Sequence, residues 1–225
     1  MTEIVIPAST LQALARIPPD QPAAVLIRHS AREKIPNGIN GDLVPLTGHG
    51  RALARDLGAV LGPRVVRVHS SPVPRCLDTA QQLLTGAAQS LQVVVDQVIA
   101  ASGEFIEDPE IAYATWTQVG HFPTFDAVMR GQRLPGYAEP RLAAQRFVQH
   151  LIAHLDQPGL HVFVSHDSPM ACLWAHLRER PLEQSEWPLF LEAVVVHRQG
   201  HQAWASYREE RVELAVPRLV QKVQP

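Results

Sequence analysis

The sequence predicts an α/β fold, a three-layer α/β/α sandwich on a mixed, mostly parallel sheet. Three observations point to it. Short runs of branched apolar residues suit strands buried on both faces, helix-type apolar stripes follow most of them, and polar residues gather where strand gives way to helix.

Residues 23–27 (AAVLI) form the first such run, which places Arg28 and His29 at its carboxyl end. Ser30 to Leu46 is polar and rich in Gly and Asn, long for a connection inside a compact domain and so read as functional or mobile. Thr47 then caps a helix with Leu53, Leu57, Val60 and Leu61 on one stripe, ended by Gly62-Pro63. A second strand is read at 64–69 (RVVRVH). After it, Ser70-Ser71-Pro72 reads as a cap with proline at the first helical position, opening a helix to about Leu84 with Arg75 in its first turn.

A third strand is expected at 91–95, whereas 101–136 reads as irregular. Its Phe105, Tyr113, Trp116, Phe122 and Phe125 suit the small core of a cap over a pocket. From about Glu139 to Leu155, Leu142, Phe147, Leu151 and Leu155 predict an amphipathic helix. Residues 160–164 (LHVFV) are a fourth strand, closing at Ser165-His166-Asp167 before the next helix. Ala193–Val196 and Ala203–Tyr207, separated by Arg198-Gln199-Gly200, resemble an antiparallel hairpin.

No linker or charge run divides the 225 residues, so one domain over 1–225 is expected, with a cap region at about 101–136. A net charge of −2 gives no field to gather nucleic acid or an anionic membrane, so any anion must be held by local arginines. Neither a membrane-spanning apolar run nor a secretory leader pattern is read, and a cytoplasmic chain is expected. Cys76 and Cys172 sit in apolar helical patterns and read as reduced core residues.

Three strand-to-helix junctions carry the chemistry: Arg28-His29, Arg75 and His166-Asp167. Ligands of open α/β sheets collect beyond the carboxyl ends of parallel strands, so neighbouring parallel strands would bring these groups together. Two guanidinium forks match phosphate oxygens, an unprotonated imidazole can attack phosphorus, and a second, protonated imidazole would stabilise the charge that develops. The leaving alkoxide needs a proton; Asp167 is one candidate donor, and Glu104 and Glu107 compete with it. Ser165-His166-Asp167 is no hydrolase triad, because adjacent residues cannot face one another, and no glycine-rich nucleotide loop is present. His150 and His154 stand at i,i+4, a spacing able to grip a metal. Without an identifiable third ligand they read as a solvated face, as do His69, His121 and His161, so no metal or cofactor is expected.

LIRHSAR (26–32) resembles the Arg-His-Gly signature of the histidine phosphatase superfamily, which includes phosphoglycerate mutases, acid phosphatases and phytases. GDLVPLTGHGRALA (41–54) is similar to its Gly-x-x-Asp-x-Pro-Leu-Thr-x-x-Gly segment. HSSPVPRCLDTA (69–80) and VSHDSP (164–169) resemble its arginine and second-histidine motifs, all in family order. The resemblance implies a phosphoglycerate mutase-like fold, His29 as nucleophile, and Arg28, Arg75 and His166 as phosphate ligands. Arg32 and the His-Asp pair resemble the acid-phosphatase branch, which implies substrate binding by Arg32 and proton donation by Asp167. Ser30 stands where the family has glycine, and the mutase-type glutamate after Asp96 is matched only by a shifted Glu104. The expected activity is metal-independent hydrolysis of a small phosphomonoester through a phosphohistidine on His29, with substrate choice in 33–46 and 101–136. A phosphomutase, or a non-catalytic phosphate-binding module, is the alternative.

Overall fold

The computed structural model describes residues 4–36, 41–155, 157–199 and 202–214. Among these residues seven strands form one sheet: β1 (Pro22–Arg28), β2 (Val65–Ser70), β3 (Val93–Val95), β4 (Gly159–Ser165), β5 (Ala193–Gln199), β6 (Gln202–Tyr207) and β7 (Glu210–Leu214), in the order β3-β2-β4-β1-β5-β6-β7. The first four are mutually parallel and the last three continue as an antiparallel meander.

Burial on both faces explains the uninterrupted apolar strands. Ala23, Val25 and Ile27 of β1 face one layer with α1 (Ala8–Ala15), α2 (Gly48–Leu61) and α3 (Pro74–Gly86). Ala24 and Leu26 face a second core layer, with residues of α4 (Pro109–Val119), α5 (His121–Met129), α6 (Pro140–Ala153) and α7 (Asp167–Leu177). The expected three-layer architecture is therefore present.

Several local expectations need correction. Residues 101–136 are irregular only at their ends: the middle carries α4, started by Asp108, whose side chain accepts from the N–H groups of Glu110 and Ile111, and α5, separated from it by Gly120 at φ 95°. Helix α3 begins at Pro74, not after Ser71, and Val73 precedes it without a side-chain cap. Ser71 is drawn away to His166. Val60 and Leu142, read as core positions, are exposed. Helix α1 and strand β7 were not anticipated. Gly200, in the expected hairpin turn, and 37–40, in the Ser30 to Leu46 stretch, lie outside the described residues.

Strand register sets up the site. Arg28 lies opposite Ser165, and Ser70 opposite Val164, so β1, β2 and β4 end level. The ladder runs one bond further at His29 N–H to the Ser165 carbonyl and at Ser71 N–H to the Val164 carbonyl, 2.9 Å each. His29, Ser71 and His166 consequently leave the sheet at one edge, the place where such sheets collect ligands.

Candidate active site

Arg75, in the first turn of α3, is the hub of that edge. Its Nε donates to His29 Nε2 at 2.9 Å, its Nη2 to His166 Nδ1 at 3.1 Å, and its Nη1 to the Gly41 carbonyl at 2.9 Å. Asp78, one turn further along α3, pairs with Arg51 at 2.7 Å. The rings of His29 and His166 stand edge to face with centroids 5.5 Å apart.

Tautomers follow from the partners, since a carbonyl can only accept. His29 Nδ1 lies 2.8 Å from the Ser30 carbonyl and so carries the proton, which leaves Nε2 with its lone pair toward Arg75. His166 Nδ1 accepts from Arg75, so its Nε2 donates to Ser71 Oγ at 2.8 Å. Burial, and then the charges of its neighbours His166, Arg28 and Arg75, hold the His29 pKa well below its usual value. Burial and Arg75 push that of His166 down to about 3. A buried cation beside Arg75 is costly, which favours the neutral His166 ring; the protonated second imidazole expected during phosphoryl transfer calls for the negative charge of a bound anion.

Arg28 closes the other side. Its Nη2 pairs with Asp167 Oδ2 at 2.9 Å, its Nη1 donates to the Pro188 carbonyl at 2.6 Å, and its guanidinium lies 4.1 Å over the Phe190 ring. Asp167 Oδ1 also accepts from the Ser168 N–H. Burial raises the Asp167 carboxyl, but Arg28 and the nearby rings of His121 and His29 outweigh it and hold the group well below the usual carboxylate range. Cys76 Sγ lies 3.5 Å from His166 Nε2, and burial pushes its thiol up to about 12. It is a neutral packing residue.

These groups line a cavity of about 570 Å³. Arg28, His29, Arg75, His166 and Asp167 form its cationic floor; Tyr113, Trp116, His121, Phe125 and Tyr137 form an aromatic wall. Arg32 is half-buried at the rim, held by the bridge between Arg32 and Leu46 and by a bond from Nη1 to the Glu33 carbonyl. Ser30 has a structural duty, donating its hydroxyl to the Gly50 carbonyl at 2.7 Å.

The edge therefore unites Arg28, His29, Arg32, Arg75, His166 and Asp167 and excludes Glu104. That carboxylate is captured by Arg146 at 2.5 Å and faces a different hollow, while Glu107 pairs with Arg133. Sequence reasoning missed three participants. Ser71 reads from the sequence as a helix cap, His121 is exposed as expected but also lines the cavity, and Phe190 gives no signal because it approaches from the loop before β5. A histidine within the aromatic run WTQVGHFPTF was the available hint for His121, whose Nδ1 accepts from the Trp116 indole at 3.1 Å.

Comparisons with known proteins agree with this architecture. The family model of the histidine phosphatase superfamily (branch 1) matches residues 24–208. No curated protein matches the chain by sequence. Among solved structures, a phosphoserine phosphatase mutant from Entamoeba histolytica in complex with phosphoserine aligns at TM-score 0.55 and 16% identity, over 83% of this chain and 96% of that one. A mycobacterial glucosyl-3-phosphoglycerate phosphatase complexed with VO3 aligns at 0.53 and 21%, over 83% and 98%. A phosphoglycerate mutase from Bacillus anthracis aligns at 0.53 and 15%, over 84% and 93%. At these identities the similarity is one of fold.

Proposed function

The chain belongs to the histidine phosphatase superfamily, and on that premise we propose that it hydrolyses a small phosphomonoester, without a metal, through a phosphohistidine on His29. The observation that carries the reading is the donation by one buried guanidinium, Arg75, to the facing nitrogens of two imidazoles. A tetrahedral anion entering there would take over those donors, with Arg28 opposite and Arg32 at the rim.

His29 Nε2 then attacks phosphorus opposite the ester oxygen, and the P–O bond breaks as the N–P bond forms. The lowered pKa of His29 keeps its lone pair free at neutral pH. Asp167 supplies the proton to the leaving alkoxide. Its pairing with Arg28 keeps it ionised, but a phosphoryl group draws on the same guanidinium and brings negative charge, and both effects raise the carboxyl pKa. A monoanionic ester can carry the proton in. Water then attacks phosphorus, returns a proton to Asp167, and releases inorganic phosphate as the N–P bond breaks. A dianion beside His166 would raise that ring's pKa and let it add a charged donor.

The cavity falls in the range of small-molecule sites, and its aromatic wall suits an ester whose alcohol portion is flat or apolar rather than a polyanion. The test is to incubate a panel of phosphorylated metabolites and aryl phosphates with the protein and quench in acid or alkali. Wild type is expected to release phosphate and to trap an acid-labile, alkali-stable phosphoprotein; His29→Ala is expected to do neither. Turnover surviving in a folded His29→Ala protein overturns the reading.

A further inference from the structure

Three other histidines gather away from the cavity. His69 lies on β2, His150 in the last turn of α6, and His154 at its C-cap, one turn further on. None of them lines the cavity above the sheet edge. Reading His150 and His154 as a solvated face overlooked the third ring, because nothing in the linear sequence ties β2 to the end of α6. His69 is buried, with 6% of its surface exposed. Its ring centroid is 4.5 Å from that of His154, and His150 and His154 are 4.8 Å apart.

The hydrogen bonds fix where the protons sit. Asp96 Oδ2 accepts from His69 Nδ1 at 2.9 Å and from His150 Nε2 at 2.7 Å, while Asp96 Oδ1 accepts from the Val98 N–H at 3.0 Å. His154 Nδ1 faces the His150 carbonyl at 2.8 Å and must donate to it. In the neutral rings the lone pairs are therefore left on His69 Nε2, His150 Nδ1 and His154 Nε2. Among the described residues, His69 Nε2 is buried and has no hydrogen-bond partner, an arrangement rare enough in a protein interior to call for an explanation.

We propose that His69, His150 and His154 form a binding site for one divalent transition-metal ion of the Zn²⁺ class, with Asp96 as the carboxylate that orients two of the rings. One ring nitrogen from each histidine lies within 4.8 Å of the others. Tetrahedral zinc with Zn–N bonds of about 2.0–2.1 Å needs nitrogens about 3.4 Å apart, so the two helix histidines, both partly exposed, must swing inward onto the fixed His69. Neutral imidazoles select zinc, nickel or copper over magnesium or calcium, which take oxygen. A carboxylate behind a ligating imidazole is the usual outer shell of such a centre. With water as fourth ligand, the ion would clip β2 to the end of α6. This site is independent of the phosphatase reading, and its test does not use turnover.

Chelator-treated full-length protein is titrated with Zn²⁺ in a calorimeter and melted with and without the ion, and Co²⁺ is added for its visible spectrum. One ion per chain, a raised melting temperature and the intense visible bands of four-coordinate cobalt are expected. His154→Ala, altered at the helix end, is expected to melt normally without metal and to lose all three effects. Asp96→Asn, which keeps every ligand, should weaken binding by about 10- to 100-fold. His49→Gln, an exposed histidine elsewhere, should leave binding unchanged. Absence of stoichiometric binding by wild type, or binding by His154→Ala equal to that of wild type, overturns the proposal.

Discussion

Arg28 Nη2 and Asp167 Oδ2 stand 2.9 Å apart, so the residue expected to grip phosphate already holds the residue expected to give the proton. In the proposed mechanism substrate and carboxylate would compete for one guanidinium, and that competition would ready Asp167 to act as an acid. Asp167→Asn is therefore expected to slow alkyl phosphates by about 10²- to 10⁴-fold, the usual worth of a positioned proton donor. Nitrophenyl phosphate, whose leaving group needs no proton, should lose far less. Steady-state rates on a leaving-group series measure this. An equal loss along the series would move the donor elsewhere, with the cavity residue His121 the first to examine.

Arg75→Lys tests geometry against charge. Lysine keeps the positive charge but cannot donate at once to His29, His166 and the Gly41 carbonyl from one rigid plane. A drop in kcat/KM of about 10²- to 10³-fold is expected, comparable to removing a preorganised donor, with a parallel loss of vanadate affinity. Kinetics and vanadate inhibition on the folded variant decide it. Near-normal values would mean that charge alone suffices there.

Acid should destabilise the protein before its carboxylates titrate. His166 has its pKa depressed from the usual 6.5 to about 3, so between these values the unfolded chain binds a proton that the folded chain refuses. Stability therefore rises with pH across that window and is lost on acidification, by about 1.4 kcal/mol per pH unit for each such histidine. His29, also depressed, adds to the slope. Asp96 and Asp167, held low in the folded state, add the same sign only at lower pH. Thermal melts between pH 7 and pH 4.5 should show a steep decline that is shallower in His166→Gln. Parallel curves for the two proteins would contradict this assignment.

The legible part of the molecule was the part specified locally. A strand buried on both faces must be apolar throughout, so β1, β2 and β4 announced themselves, and the polar residues just past their ends marked the site. What escaped depended on distant pairing. Strand β7 follows a turn at Arg208, which adopts φ 56° without glycine or asparagine to advertise it. Helices α4 and α5 were hidden because Gly120 interrupts them and Tyr113, Trp116 and Phe125 face the cavity instead of forming a regular stripe. Glu104 was placed near the chemistry by its distance from Asp96 along the chain, whereas Arg146 on α6 turns its carboxylate away.

A matched pair of glycines tests how α2 holds the loop beside His29, the proposed nucleophile. A Cβ on Gly50 would lie 2.1 Å from the Ala31 carbonyl oxygen, an impossible contact against backbone, whereas one on Gly48 meets nothing within 4 Å. Gly50 also accepts from Ser30 Oγ at 2.7 Å and donates to the helix cap Thr47 Oγ1 at 2.8 Å, while the Thr47 N–H donates to the Ala31 carbonyl at 3.0 Å. Gly50→Ala must therefore push the start of α2 away from residues 30–31, which adjoin His29. A loss of about 1–3 kcal/mol is expected from the overpacking. The rate should fall as well, because a displacement near 1 Å at a reacting group can cost about 10²-fold. Gly48→Ala, in the same turn, should be neutral or stabilise by up to about 1 kcal/mol through helix propensity. Melting curves and turnover of the two variants, measured side by side, check this. If Gly50→Ala matches Gly48→Ala in both, the close approach of α2 is not what positions His29.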